Sequence, residues 1–105
     1  MIIPEQVHLL YKDYEVKKTN NLRNDSGETL YGQTQYIEQL ILINDNASEE
    51  QQKATLIHEL VHGLDERVHG LDELFNIDLK EEQVEKLGNA FYMLIRDNLE
   101  MFKEG

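Results

Sequence analysis

His58-Glu59-Leu60-Val61-His62 stands inside an unbroken, largely apolar run, Ala54-Thr55-Leu56-Ile57-His58-Glu59-Leu60-Val61-His62. It reads H-E-x-x-H. On a helix, residues four apart lie one above the other, so His58 and His62 can grip one metal ion together. Glu59 lies about 100° further round, where its carboxylate can reach a water on that metal without being a ligand itself. Two imidazoles and a base so related are what a zinc hydrolase needs. From the chain's own His and Glu content, accident would produce the pattern in about 2% of chains this short. Leu56, Ile57, Leu60, Val61 and Leu64 also give the segment a wide apolar face. The histidines border that face, unlike those of a plain surface helix.

Upstream, Ser48-Glu49-Glu50-Gln51 has the S-x-x-Q form of a capping box. The motif helix is therefore expected from about Ser48 to about Arg67. Before it, Leu40-Ile41-Leu42-Ile43 is a run of branched apolar residues, expected as a strand covered on both faces or lining a cleft on one. Tyr31 to Tyr36 alternates like a half-buried strand and should pair with it as a hairpin. Asp25-Ser26-Gly27 marks a tight reversal within the Asn-rich stretch 19–29. Val7-His8-Leu9-Leu10 and Tyr14-Glu15-Val16-Lys17 read as an earlier hairpin, with His8 on its solvent side.

Downstream, His62-Gly63-Leu64-Asp65-Glu66 recurs as His69-Gly70-Leu71-Asp72-Glu73. The seven-residue period is too short for a repeat architecture. His69 does not complete an H-E-x-x-H-x-x-G-x-x-H pattern, whose third histidine would fall at Val68. Leu74-Phe75-Asn76-Ile77 reads as a packed connector. From Asp78 to about Phe102 the period is helical, with Val84, Leu87, Phe91, Leu94, Ile95, Leu99 and Phe102 expected on one buried face.

A catalytic zinc takes three protein ligands and leaves a position for water. With no cysteine in the chain, the third must be a carboxylate, expected from the second helix. On a wheel centred at Val84, Glu81 lies at about 60° and Glu85 at about 100°, both bordering the buried face, whereas Glu82 at about 160° points outward. The wheel does not choose between Glu81 and Glu85.

Glu85-Lys86-Leu87-Gly88-Asn89-Ala90-Phe91 resembles the E-x-x-A-N-x-F segment of IrrE/ImmA-type metallopeptidases and the E-x-x-x-D element of thermolysin-like gluzincins. The resemblance is strong from Leu40 to Phe91 and looser before that. Gly88 departs from the alanine usual in the family. The resemblance implies Glu85 as third zinc ligand and Asn89 as the outer group steadying a zinc histidine, leaving Glu81 as the alternative ligand. The chain is also similar to small phage-encoded proteins of this type. The family's helix-turn-helix partner domain has no counterpart among these residues.

The 105 residues suffice for a single domain, 1–105. The net charge of −11 argues against nucleic-acid binding, which needs clustered Lys and Arg. No apolar stretch reaches membrane-spanning length, and nothing resembles a secretory signal, so a soluble cytoplasmic protein is expected. The expected fold is α+β and zincin-like: a small antiparallel sheet of three or four strands packed on two long helices. The expected function is that of a zinc-dependent metallopeptidase with one zinc per chain and Glu59 as general base. Its protein substrate would add as an extended strand along Leu40–Ile43. Tyr92, His69 and Tyr36 are candidates for stabilising the transition state. A catalytically silent zinc module and an acidic interaction protein are the competing readings.

Overall fold

The computed structural model describes residues 2–9, 12–64 and 79–102. Strands β1 (Gln6–Leu9) and β2 (Lys12–Thr19) form an antiparallel hairpin, with Val7 opposite Tyr14 and His8 opposite Asp13. Along β2, Tyr14 and Val16 are buried while Asp13, Glu15 and Lys17 are exposed, the period-two pattern of a one-sided strand. His8 is exposed as expected, its Nδ1 2.6 Å from the Asp13 carboxylate across the ladder.

In the connection that follows, the Asn24 side-chain oxygen accepts the backbone N–H groups of Ser26 and Glu28. Gly27 supplies the positive φ of 83° that closes the reversal. β3 (Gly32–Gln35) and β4 (Leu40–Asn44) then form the second antiparallel hairpin. The sheet order is β1-β2-β4-β3, and β4 runs parallel to β2.

The sheet is therefore mixed, which corrects the expectation of an antiparallel one. The cause lies in residues 20–31, which carry the chain past the sheet before β3 begins. Leu22 is buried and its carbonyl accepts Leu30 N–H. The Asn44 side chain and backbone hold Leu30 and Tyr31 by their carbonyls. The returning β4 drops into the gap between β3 and β2. Its composition suits that place: Ile41 and Ile43 have no exposure at all, and Leu40 and Leu42 on the other face are half-buried. A second correction follows. β4 has both edges paired, so Leu40–Ile43 has no free edge for an incoming peptide; the outer strands are β1 and β3.

Helix α1 (Glu49–Leu64) lies across the sheet. Ser48 Oγ accepts Gln51 N–H at 3.1 Å, the cap its sequence announced. Leu56 of α1 joins Tyr14, Val16, Ile41 and Ile43 in the core, each such burial being worth about 2 kcal/mol. The expected extension of α1 to Arg67, the second copy of the pentapeptide with His69, and the connector Leu74–Ile77 lie outside the described residues.

Helix α2 (Glu81–Asp97) is followed by a short 3-10 turn, Leu99–Phe102. It runs antiparallel to α1: Arg96 reaches Glu50 at one end, and Glu81 reaches His62 at the other. Its buried residues are Val84, Gly88 and Tyr92, whereas Leu87, Phe91 and Leu94 are 37%, 43% and 50% exposed. The expected buried face is thus turned by most of a quarter-turn. The contacts explain why. α2 rests on α1 along one seam, and at Gly88 the backbones approach so closely that a Cβ would stand 3.1 Å from His58 Cα. The small residue, not the stripe of large ones, sets the contact line.

Candidate metal centre

Helical spacing places His58 and His62 one above the other on α1, with ring centroids 4.9 Å apart. Both side chains are about three-quarters buried, at 25% and 23% exposure. Glu81, the first residue of α2, spans them. Its Oε1 lies 3.2 Å from His58 Nε2 and its Oε2 lies 3.0 Å from His62 Nε2. One ligand atom from each of the three residues fits within 4.8 Å of the others. A tetrahedral zinc with bonds near 2.0–2.1 Å holds neighbouring ligand atoms about 3.3 Å apart, close to the two N···O separations seen here. Two imidazoles and a carboxylate are also a donor set that zinc accepts.

Glu85 and Asn89, the pair carried by the family resemblance, line the same cleft as His58, Glu59 and Glu81. The cleft, about 430 Å³ in volume, also takes in Tyr31, Gln51, Ala54 and Thr55. Glu85 is exposed and forms no ion pair with either imidazole among the described residues. The carboxylate that meets both is that of Glu81, which the wheel had left open. The antiparallel crossing supplies the reason. With Gly88 set against His58, moving along α1 to His62 moves backward along α2 toward its first turn.

Glu59 is 5% exposed and packs against β3. Thr34 Oγ1 lies 2.7 Å from its Oε1 and 3.3 Å from its backbone oxygen. Gly32, two residues earlier on the same face of β3, leaves room for the helix: a Cβ there would come 2.5 Å from Thr55 Cγ2 and 3.1 Å from Glu59 Cγ. Burial raises the Glu59 carboxyl above its ordinary value of 4.5, and the Glu81 charge pushes the same way. The Thr34 hydrogen bond and the two histidines oppose the shift. A carboxylate whose proton affinity is raised by burial is better suited to accepting a proton than an exposed one. Sequence reasoning missed Thr34. Its signal was the Gly32-x-Thr34 spacing, which places a gap and a hydroxyl on one face of a strand.

The remaining candidates are dispersed. Tyr92 is buried beside Arg96, whose guanidinium lies 5.6 Å from the ring centroid, in a separate cavity with Glu49, Glu50 and Lys53. Glu50 stands eight residues before His58 on α1, about 12 Å along the axis, so Tyr92 belongs to the far end of the seam and not to the cleft. The Tyr36 hydroxyl donates to the His62 carbonyl at 3.2 Å, bracing the last turn of α1. His69 lies outside the described residues. Tyr31, 61% exposed in the cleft wall, is the tyrosine that does line the site.

Residues 5–100 match the peptidase family model described as the IrrE N-terminal-like domain. No curated protein and no solved structure gives a significant match.

Proposed function

The chain belongs to the IrrE N-terminal-like peptidase family, and from that premise we propose that it is a zinc-dependent metallopeptidase acting on a protein substrate. The observation that carries the reading is the meeting of His58, His62 and Glu81 beside the buried Glu59. One zinc per chain would be held by the two imidazoles and the Glu81 carboxylate, leaving a position open. Bound there, zinc supplies Lewis acidity toward a carbonyl and a water.

The chain's own residues do the rest. Glu59 takes a proton from the attacking water and returns it to the leaving amine. Among the described residues β3 has one unpaired edge and carries Thr34 against Glu59, so an extended substrate segment pairs with β3 and passes across the cleft. Tyr31, which lines the cleft wall, is the candidate donor to the developing oxyanion. Among the described residues no helix is long and apolar enough to cross a membrane.

The test begins with metal analysis. The purified protein should hold one zinc per chain, lost in His58→Ala and His62→Ala, and the zinc-loaded form should cleave unfolded casein in a chelator-sensitive way. A chain that takes up no zinc under saturating, chelator-free conditions sinks the proposal. A chain that binds zinc but cleaves nothing, with Glu59→Gln indistinguishable from the parent, reduces it to a zinc-binding module.

A further inference from the structure

Glu59 carries a flexible side chain, and among the described residues its side-chain hydrogen-bond partner comes from β3. Thr34 Oγ1 stands 2.7 Å from Glu59 Oε1, within the range of a short hydroxyl–carboxylate hydrogen bond. A hydroxyl has a single proton. The Glu59 backbone oxygen, at 3.3 Å, is the longer contact, and as a carbonyl inside a helix it already serves the helical ladder. The proton therefore goes to the carboxylate. The stem of Glu59 is held by the same strand, because Gly32 lets β3 close to where a Cβ would stand 3.1 Å from Glu59 Cγ. One strand thus grips the side chain at both its stem and its head. Oε2 has no hydrogen bond among the described residues, and Glu59 lines the cleft. One oxygen is tied down and the other is left to work.

We infer that Thr34 is a positioning residue: its hydroxyl fixes the rotamer of Glu59, so that one carboxylate oxygen is anchored on β3 and the other is presented to the reacting water. The inference rests on the peptidase reading of this site and adds to it a residue two elements away from the motif. Thr34 also lies on the strand proposed to pair with substrate, so a peptide docking on β3 presses directly on the element that aims the base.

The test compares Thr34→Val, which keeps the shape and the strand preference but removes the hydroxyl, with Thr34→Ser, which keeps the hydroxyl. The probe is acetohydroxamate, which chelates zinc through two oxygens and gives its proton to a neighbouring base. It is titrated into the zinc-loaded chain, alongside zinc affinity and the kcat and KM for casein. Loss of a charge-assisted hydrogen bond should weaken acetohydroxamate by about tenfold in Thr34→Val. kcat should fall by a similar factor with KM little changed. Thr34→Ser should recover both to within about threefold of the parent. Zinc affinity should stay within about twofold in every variant, since Thr34 touches no ligand. Thr34→Ala carries the same expectation as Thr34→Val, so the comparison survives if either packs poorly. If zinc binds and the parent takes the probe, but Thr34→Val takes it equally well or Thr34→Ser fails to recover, the positioning role falls alone. If the parent binds no zinc, or binds zinc and ignores the probe, the peptidase reading falls and takes this inference with it.

Discussion

Replacing Glu81 by Gln keeps the size of the side chain and removes its charge. The carboxylate now spans both imidazoles at 3.2 and 3.0 Å, so the exchange takes one of three protein ligands from the metal. Structural zinc sites with four protein ligands are worth about 10–16 kcal/mol, or about 3 kcal/mol per ligand. At 1.4 kcal/mol per decade, the loss is about 100-fold in zinc affinity. Glu85→Gln, on the wall of the same cleft, should cost less than about tenfold, the lower end for an outer group. Glu82→Gln is the control. It shares the first turn of α2 and its interaction with the helix dipole, worth about 0.3–1 kcal/mol, but its partner is Lys86 at 3.0 Å. Its zinc affinity should be unchanged. Competitive titration against a chromogenic chelator measures all three. A larger loss at Glu85 than at Glu81 would refute the argument from helix crossing, and would make Glu85 the ligand and Asn89 the group steadying a zinc histidine, as the family resemblance implies.

Two further substitutions probe the base and the seam. Glu59→Gln should keep zinc and lose about 10²–10⁴-fold in turnover. Because burial raises the folded-state carboxyl above 4.5, Glu59 stabilises the metal-free fold most in acid, and this contribution is lost as pH rises through the raised value. Melting of chelated protein should therefore show Glu59→Gln gaining on the parent near neutral pH and not in acid; an equal gain at both would rule out ionisation as its source. Gly88→Ala adds about 1 kcal/mol of helix preference but sets a Cβ 3.1 Å from His58 Cα. Displaced by a few tenths of an ångström, α2 should leave melting nearly unchanged while zinc affinity drops by about tenfold; affinity equal to the parent's would show that the crossing has slack.

The parts of the molecule that could be read from sequence were those written in local chemistry. Ser48 capped α1, Asn24 and Gly27 made their reversal, and the β-forming runs gave both hairpins. The motif's two histidines needed only a helix to come together. What failed was what depends on a partner element. The parallel pairing of β4 with β2 follows from where residues 20–31 dock, through Leu22 and Asn44, and no local pattern announces that. Hydrophobicity alone misplaces the buried face of α2, because contact with α1 selects Val84, Gly88 and Tyr92 and leaves Leu87, Phe91 and Leu94 outside. Glu81 is visible as an option, but that it rather than Glu85 meets both imidazoles follows only from Gly88 lying against His58. Tyr92 was drawn in by its proximity in sequence to Asn89, and the antiparallel crossing carries it to the other end of the seam.

The cluster of Tyr14, Val16, Ile41, Ile43 and Leu56 belongs to the sheet and α1, while α2 buries Val84 and Tyr92 apart from it. The second helix is therefore attached like a door, with Arg96 and Glu50 at one edge and Glu81 with the two imidazoles at the other. Opening it leaves that cluster intact, so its amides should exchange with solvent as a unit before those of β2 and β4. On the proposed zinc reading the same opening would withdraw a ligand, so it would also be the route of metal escape. Residence time of the metal and the exchange lifetime of α2 are then two readings of one clock, and should slow or quicken together across variants. A metal that left the site many times faster than α2 opens would show that the latch works independently of the hinge.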